Sequence, residues 1–433
     1  MNPSGRLSAT FWRSHEQNPA LANFGVTAYA GADNVINADG SPQQDRYYVV
    51  YQEGIYVGYR YTESRYEDYV MNTPNVGAFD YAKTVSFPFG FGKSYSTFDY
   101  SDYKVEKSGD GANTVYNVSV TVTNSGSAAG KETVQIYLQK PYGEYNKANG
   151  VEAASAELVG FAKTKVLNPG ESETLVIPVS ERQFAAYDAN SANTYVIVDG
   201  DYYLTAAKDA HNAVNNFLAK KGYTPESTEG RMDAEGSAAL VCDAITLAFD
   251  KDTYSTSEAT GYPITNRFEY ADWNKYEHRG DDTVTYMSRS DWEGTTPKSW
   301  SDTTVLHWNE YITADQDKYG RQSETKLETV DTEYPNYSTF QDGETLSLIQ
   351  LRVDENGNEI PYDDPKWDQL LDQLSWEDYT SVIPSGMRRN GGIEAINKME
   401  CLDHNGPSGL TQPYSTSARG LATITGDPDK NAK

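Results

Sequence analysis

The sequence predicts a multidomain, mainly β protein with an antiparallel β-sandwich at its centre. Its 433 residues are enough for two to four domains. Within residues 102–207, apolar and polar side chains alternate with period two, as they do in half-buried strands. Turn-forming residues interrupt the alternation at short intervals and divide it into about seven short strands, a number typical of such a sandwich.

Three of these strands are defined by side chains that share one face. Their predicted inward residues are Tyr116, Val118, Val120 and Val122; Val134, Ile136 and Leu138; and Leu175, Ile177 and Val179. The sequences NSG at residues 124–126 and NPG at residues 168–170 predict turns. Asp199-Gly200, between YVIV and YYLTA, predicts a hairpin.

Residues 1–101 precede the sandwich and contain no amphipathic pattern of helix length. Valine and isoleucine in residues 49–57 favour a strand there. Glu53 lies inside this apolar stretch, and two interpretations of it are open. It is either a catalytic acid or base, or an ion-pair partner of Arg60 or Arg65, which is the commoner role for such a side chain.

A helix is predicted over residues 209–222. Apolar residues recur there at helical spacing, Asp209 is suited to cap the start, and Gly222 is suited to the end. His211 lies in the first turn. We expect a surface or capping role for it rather than metal binding, because no second ligand follows four residues later.

The segment from about residue 224 to residue 364 is polar and strongly acidic in its second half, which predicts an irregular connector. Tryptophans within it are expected to pack against a larger body: Trp273, Trp292, Trp300 and Trp308. DENGN at residues 354–358 is similar to part of a calcium loop. Gly357 is at the wrong position for one, so we predict a hairpin turn instead.

Two more helices are predicted after the connector. Asp364 and Pro365 form an N-cap and first-turn pair at the start of the first. Ser375 and Asp378 form a capping box at the start of the second.

Composition argues against several classes of partner. The chain has 36 Lys and Arg against 63 Asp and Glu, a net charge of −27, which disfavours nucleic acid and anionic membrane surfaces. No apolar run reaches the ~18 residues of a membrane span. Cys242 and Cys401 are too few for a disulfide framework and are not spaced as metal ligands, so we expect no metal site.

Several motifs, in order along the chain, resemble glycoside hydrolase family 3. YQEGIYVGYRYTESRYEDYV at residues 51–70 resembles a signature near the end of that family's α/β/α sandwich domain. NPSGRL at residues 2–7 and FPFGFGKSYSTF at residues 87–98 resemble its NPSGRLP and FPFGYGLSYTTF. VTVTNSGSAAGKETVQIYLQKPY resembles its fibronectin type III-like domain, and DHNGPSGL at residues 403–410 resembles the DGPAGL loop of its (β/α)8 barrel.

The resemblance implies an inverted domain order, with the barrel last, and a chain that is a fragment. It implies four regions: the C-terminal part of an α/β/α sandwich domain in residues 1–101, a fibronectin type III-like domain in residues 102–208, a helix plus acidic connector in residues 209–364, and the start of a truncated (β/α)8 barrel in residues 365–433.

The resemblance also implies where the site residues lie. In the family the acid/base glutamate precedes NPSGRL and the nucleophilic aspartate lies in a barrel motif like VVSDWGA, so no catalytic residue is expected in this chain. Asp291, in SRSDWEG, imitates that motif ahead of the predicted barrel, and we expect a linker role for it. Alignment of the Gly-Pro pair makes Asn405 the sugar-binding residue, with Asp403 two residues earlier.

Two functions follow. The first is a retaining β-glucosidase-like hydrolase that removes terminal nonreducing β-D-glucosyl residues, at the level of the parent protein. It needs no metal or organic cofactor and acts on a β-glucoside or oligosaccharide. This chain is expected to be inactive alone. Two kinds of partner are compatible with this expectation: a complementing chain, as in a split enzyme, or further copies of this chain in a homo-oligomer. The second is a noncatalytic carbohydrate-binding or structural β-sandwich protein.

Overall fold

The computed structural model describes residues 2–23, 27–30, 47–74, 76–269, 272–275, 283–292, 345–382 and 389–402. The chain divides into two compact units, Met1–Arg321 and Gln322–Lys433. The helices described are α1 (Tyr59–Val70), α2 (Tyr81–Thr84), α3 (Glu144–Asn149), α4 (Ala210–Lys220), α5 (Pro365–Leu371) and α6 (Trp376–Val382). Within the described residues, no helix is long and apolar enough to cross a bilayer.

The strands are short, apart from the central ones of the first unit. They are β1 (Phe11–Trp12), β2 (Thr27–Ala28), β3 (Tyr47–Tyr48), β4 (Val85–Phe87), β5 (Phe98–Ser108), β6 (Val115–Asn124), β7 (Thr133–Gln139), β8 (Glu157–Lys163), β9 (Ser172–Ser180), β10 (Ala186–Asp188), β11 (Thr194–Val196), β12 (Gly200–Ala207), β13 (Ile245–Leu247), β14 (Arg389–Asn390) and β15 (Cys401–Leu402).

Two antiparallel sheets form the centre of the first unit. One has the order β5-β6-β9 and the other the order β13-β12-β7-β8, and they share one hydrophobic core. This confirms a mainly β chain built on an antiparallel sandwich. The strands extend from Phe98 to Leu247, beyond residues 102–208, and the predicted domain limits stay a prediction.

The predicted inward faces are confirmed. The four inward side chains of β6 are at most 3% exposed, and those of β7 are fully buried. In β9, Ile177 and Val179 are buried and Leu175 is partly buried against the same core. Alternation of period two therefore assigned these side chains to the correct face.

The two predicted sandwich turns are also confirmed. The Glu171 amide donates to the Asn168 carbonyl at 2.9 Å, and Gly170 has φ +82°, which the third position of a type II turn requires. At the other turn, the Asn124 side chain donates to two backbone carbonyls, of Ala128 at 2.9 Å and Leu167 at 2.8 Å.

The hairpin predicted at Asp199-Gly200 is wrong. Strand β11 pairs with β10, whereas β12 pairs with β7 and β13. The buried Tyr202 hydroxyl accepts a hydrogen bond from the Val198 amide at 3.1 Å and donates one to the Val198 carbonyl at 2.8 Å. This contact holds a corner between the strands, as in other sandwiches with a tyrosine corner, and directs β12 to different neighbours.

The strand favoured for residues 49–57 is wrong, and a helix lies within residues 1–101, where the sequence showed no helical pattern. Strand β3 ends at Tyr48, and Gly54 and Gly58 have φ +53° and +58°, left-handed values that interrupt an extended chain. Helix α1 then begins at Tyr59 and runs for 12 residues. Its buried side chains include carboxylates, so a search for apolar periodicity misses it.

Helix α4 is the predicted helix, and Asp209 caps it by accepting from the Asn212 amide at 2.8 Å. Its apolar face packs with α1 on the outer face of the sheet that contains β7. Strand β7 is consequently buried on both faces. Helices α1 and α4 thus form a third layer over the sandwich.

The second unit contains α5, α6 and the β14–β15 ribbon. Asp364 caps α5 by accepting from the Lys366 amide, and Pro365 is its first residue, as predicted. Ser375 and Asp378 form the predicted capping box at the start of α6. Within residues 345–382 and 389–402, no closed barrel is present.

The predicted turn at residues 354–358 is confirmed. Val353 and Glu359 form an antiparallel bridge across it, and Gly357 has φ +82°. The Asp354 carboxylate accepts from the amides of Asn356 and Asn358 at 2.8 and 2.9 Å, so the chain's own N–H groups occupy it.

Replacing Tyr202 with phenylalanine should destabilise the sandwich. The substitution keeps the ring but leaves the buried Val198 amide and carbonyl without the hydroxyl, which costs about 1–3 kcal/mol. Urea denaturation of the whole chain measures the loss. The matched control is Tyr195→Phe, a ring 41% exposed, which should change stability by less than about 0.5 kcal/mol. Equal effects of the two substitutions would contradict the corner's role.

Candidate functional site

The predicted sugar-binding residues Asp403 and Asn405 lie outside the described residues, as do Trp300 and Trp308. Their assignment stays a prediction. Among the residues that the structure does describe, no cluster of His, Cys, Asp and Glu side chains is arranged to hold a metal ion.

Glu53 is buried, with 6% of its surface exposed. In the part of the chain that is described, neither Arg60 nor Arg65 forms the ion pair with it that the sequence suggested. Arg65 instead donates to the Val76 carbonyl at 2.6 Å, and its guanidinium lies 5.0 Å from the centre of the Trp292 ring. The arginine is used to pack aromatic rings rather than to neutralise Glu53.

The charged side chains that do meet are centred on α1. Glu63 and Glu67 are four residues apart and therefore lie on one face of the helix, and Asp68 is adjacent. All three are at most 2% exposed. These three residues have the cationic partners His211, Lys221 and Arg289, and Asp233 is a second partner of His211. We call these seven residues the α1 carboxylate network.

His211 is not the surface or capping residue that the sequence suggested. Its Nδ1 lies 2.9 Å from Glu63 Oε2, and its Nε2 lies 3.0 Å from both oxygens of Asp233. Its ring stacks on Tyr81, with centroids 3.7 Å apart, and the Tyr81 hydroxyl donates to Glu63 at 2.6 Å. The imidazole is therefore clamped between two carboxylates from distant parts of the sequence.

This geometry keeps His211 protonated. Burial by itself lowers the pKa of His211, but the charge of Glu63 and the hydrogen bond to Asp233 outweigh it and raise that pKa to about 10. For Asp233, burial opposes ionisation, yet the hydrogen bond from His211 lowers the pKa of the carboxyl. Both ring nitrogens then donate, and the group is an imidazolium at neutral pH.

The other end of the network holds Glu67 and Asp68. Arg289 Nη2 lies 2.7 Å from Glu67 Oε2 and 2.6 Å from Asp68 Oδ1, and Nε lies 3.0 Å from both oxygens of Asp68. Glu67 also accepts from Lys221 Nζ at 2.9 Å and from the Gln139 side chain at 2.9 Å. Burial raises the pKa of Glu67, but Lys221 and Arg289 lower it to about 2.

These carboxylates are arranged for structure rather than for hydrolysis. A retaining glycosidase needs two carboxyl groups about 5 Å apart that face a substrate. Glu63, Glu67 and Asp68 are buried and each is bound to a cation, so a sugar cannot reach them. What the network does is join α1 to α4 and to residues 289–292.

Asp291 lies beside this network, half-buried, in a turn in which the Trp292 amide donates to the Ser288 carbonyl at 3.0 Å. The residues near Asp291 in the sequence, Arg289 and Trp292, make the buried contacts of this segment. Arg289 inserts between the carboxylates, and Trp292 Nε1 donates to Asp68 at 2.8 Å. Trp292 is 6% exposed, as expected for a tryptophan that packs against the larger body, and the linker role of Asp291 stays a prediction.

Sequence reasoning missed Arg289, Lys221 and the role of α1. The available signal was ESRYED at residues 63–68, where carboxylates recur at helical spacing within a tyrosine-rich segment. An arginine in an otherwise acidic connector was the complementary signal.

A separate cleft of about 520 Å³ lies beside Cys242, between β5 and residues 239–245. The sulfur accepts from the Leu204 amide at 3.1 Å, and burial raises the pKa of the Cys242 thiol. A thiol held in its protonated form is a poor nucleophile, which argues against Cys242 as a nucleophile in this cleft.

Comparison with known proteins identifies the central domain and a set of relatives. The model of the fibronectin type III-like domain matches residues 132–210. The thermostable beta-glucosidase B of Acetivibrio thermocellus is 31% identical over 249 residues, which are 56% of this chain and 27% of that protein. The exo-alpha-(1->6)-L-arabinopyranosidase of Bifidobacterium breve is 31% identical over 255 residues, 57% of this chain and 28% of that protein.

Among solved structures, the GH3 beta-glucosidase of Bifidobacterium adolescentis is 25% identical, with a TM-score of 0.38, and the match covers 64% of this chain and 29% of that one. The chain spans about a quarter of the length of the two curated relatives.

The His211 clamp predicts a stability difference that depends on pH. We expect His211→Gln to destabilise the whole chain by about 3 kcal/mol at pH 6, because two carboxylates lose their cation. The folded-state pKa of about 10 exceeds the ordinary value of 6.5, so the proton's contribution is complete below pH 6.5 and is lost as the pH rises through 10.

Chemical denaturation of wild type and variant between pH 6 and pH 10 measures this difference. It should shrink steadily across that range. His15→Gln, at an exposed histidine, serves as the control and should leave stability nearly unchanged. A wild-type advantage that stays constant to pH 10 would contradict the clamp.

Removing the guanidinium of Arg289 should lower the free energy of unfolding more than His211→Gln does. Arg289→Met leaves Asp68 without a cationic partner and Glu67 with Lys221 alone, which predicts a loss of about 3–5 kcal/mol in the free energy of unfolding. Arg182→Met is the matched control, because Arg182 pairs with a largely exposed Glu258 and should cost less than about 1 kcal/mol. Thermal unfolding followed by circular dichroism compares them, and similar midpoints would refute the difference.

Proposed function

We propose that this chain, as a relative of the glycoside hydrolase family 3 β-glucosidases, is part of a β-glucosidase-like hydrolase. The similarity on which the proposal rests covers about half of the chain. The parent protein hydrolyses terminal nonreducing β-D-glucosyl residues with retention of configuration. The observation that carries this proposal is a match over 249 residues, 31% identical to a named β-glucosidase, together with the match of residues 132–210 to the fibronectin type III-like domain.

The described residues contribute to such an enzyme as a scaffold. Their best-developed cluster of carboxylates is buried and neutralised by cations, which suits a rigid body next to a catalytic domain. Sugar contacts in the proposal come from Asn405 and Asp403. Asparagine in place of the family's aspartate keeps a hydrogen bond to a hydroxyl but loses about 1 kcal/mol or more of charge-assisted binding.

The nature of the glycoside is part of the proposal. One relative is named for β-glucosidase activity and another for an exo-α-(1→6)-L-arabinopyranosidase, and both are 31% identical. We propose the β-glucoside because the chain's motifs resemble those of the β-glucosidases. A complementing chain or a homo-oligomer is proposed only as the way in which this chain takes part in catalysis.

A noncatalytic carbohydrate-binding function is the alternative. Sugar-binding platforms present aromatic rings whose faces lie in one plane. The cross-strand pair Tyr187 and Tyr195, on the two-stranded sheet of β10 and β11, has ring planes at 70°, so this pair does not form such a platform. Titration calorimetry with cello-oligosaccharides tests the alternative, which requires saturable binding without turnover.

The 433-residue chain by itself should not release nitrophenol from p-nitrophenyl β-D-glucopyranoside. The reason is that the buried carboxylates of the α1 network are unavailable to substrate. The Acetivibrio thermocellus enzyme provides the positive control. Turnover by the chain that is abolished by Asp291→Asn or Asn405→Ala would contradict this expectation.

A chimera tests the function of the parent protein. The 249-residue matched segment of the Acetivibrio thermocellus enzyme is exchanged for the corresponding segment of this chain. We expect the chimera to retain β-glucoside hydrolysis, because the matched scaffold should position the remaining domains. A control chimera carries an unrelated sandwich domain and should be inactive. A folded test chimera without activity, or one active only on an α-L-arabinopyranoside, would contradict the proposal.

A further inference from the structure

Residues 283–292, which we call the strap, lie along the surface built by α1 and by the loop before it. The strap has no helix or strand of its own. Its backbone is held by the loop, since the Met287 amide donates to the Gln52 carbonyl at 2.8 Å and the Gln52 side chain donates to the Thr285 carbonyl at 2.5 Å. The contacts join positions more than 230 residues apart in the sequence.

The strap contacts three carboxylates, and we call the surface that they form the acidic groove. Glu67 and Asp68 accept from the Arg289 side chain, and Glu152 accepts from the Arg289 backbone amide. Glu152 accepts from the Ser288 hydroxyl at 2.7 Å and from the Arg289 amide at 3.0 Å. Lys221 supplies only one positive charge, to Glu67, against the three negative charges of the acidic groove. A segment that binds in the groove must therefore bring a further cation.

The groove is shaped for arginine. The guanidinium of Arg289 donates through Nε to both oxygens of Asp68, and through Nη2 to Glu67 and Asp68. Nη1 lies 3.4 Å from the Ala153 carbonyl. This set of donors matches the planar fork of arginine and exceeds what the three rotating donors of a lysine ammonium can satisfy at once.

A second anchor follows three residues later. Trp292 is 6% exposed and contacts Tyr56 and Tyr61, with ring centroids 5.1 and 6.0 Å apart. Its Nε1 donates to Asp68 Oδ2 at 2.8 Å, so the tryptophan and the arginine share one carboxylate. Buried arginine and tryptophan side chains are the residue types that most often dominate binding energy at interfaces.

The walls of the acidic groove are supported without the strap. Helix α1 packs against α4 through a hydrophobic cluster that contains no strap residue, and the His211 clamp fixes Glu63 on the same helix. Gln139 and Lys221 orient Glu67 from the sandwich and from the end of α4. A receptor of this kind can exist before the strap docks.

We propose that the acidic groove is a peptide-binding site for the sequence arginine-x-x-tryptophan, and that the strap is a separable docking peptide that this chain supplies to itself. The strap then acts as a latch that fastens residues 283–292 onto α1 and the loop that precedes it. The same groove accepts a separate peptide of the strap sequence once the resident anchors are removed.

The test uses the whole chain carrying Arg289→Ala and Trp292→Ala, together with a fluorescent peptide of residues 283–292. Anisotropy should show saturable binding, and a peptide with its arginine replaced by alanine should bind at least tenfold more weakly. The wild-type chain should also bind the peptide at least tenfold more weakly, because its own strap competes at an effective concentration of about millimolar.

A matched receptor control adds Glu67→Gln and Asp68→Asn to the double variant, and peptide binding should then be lost. The proposal is overturned if circular dichroism shows that the double variant is folded and the variant does not bind the peptide. It is also overturned if the folded double variant binds the alanine peptide equally well.

If the double variant does not fold, the Arg289→Lys chain replaces it, since lysine keeps the charge but not the fork. Its thermal midpoint should rise with the wild-type peptide and not with the alanine peptide. No rise with either peptide overturns the proposal as well. Neither readout depends on glycoside hydrolysis, so the proposed function and this inference fail independently.

Discussion

The first unit depends on neutralising three buried carboxylates of one helix. A carboxylate removed from water is destabilising unless a cation and hydrogen bonds replace its hydration. Helix α1 buries Glu63, Glu67 and Asp68 within six residues. Their cations come from His211 in α4, from Lys221 directly after α4, and from Arg289. Burial of α1 is thus coupled to the positions of segments that lie far from it along the chain.

This constraint changes how the tyrosine-rich segment is interpreted. The family-like motif of residues 51–70 contains the loop and helix that contribute to the acidic groove. It also supplies two residues around His211. These are Glu63, which accepts from the Tyr81 hydroxyl, and Tyr66, whose hydroxyl accepts from the Asp233 amide. Its three buried carboxylates, Glu63, Glu67 and Asp68, are therefore occupied by structural partners. A cluster of titratable residues in a motif associated with an enzyme is not by itself a catalytic site, because the same groups satisfy the requirements of burial.

Local patterns predicted local structure well. Alternation assigned the inward faces of β6 and β7, and Asp209, Asp364 and Ser375 marked helix starts through hydrogen bonds made within one turn. The errors occurred where a distant contact decides the outcome. The hairpin at Asp199-Gly200 failed because β12 has better partners in β7 and β13, and α1 was missed because its buried residues are polar and aromatic. For the candidate sugar contacts, Asp403 and Asn405, the prediction rests on the motif alone.

The sequence by itself determined the antiparallel sandwich, its main turns, the capped helices and the resemblance of half the chain to β-glucosidases. These features depend on residue periodicity, on turn chemistry and on motifs, all of which are properties of neighbouring residues. Only the tertiary structure decided that His211 is a partly buried imidazolium and that Arg289 binds the acidic groove. The partner of a buried charge is set by which segments the fold brings within about 3 Å, and residue spacing carries no information on contacts between segments that are far apart in the sequence.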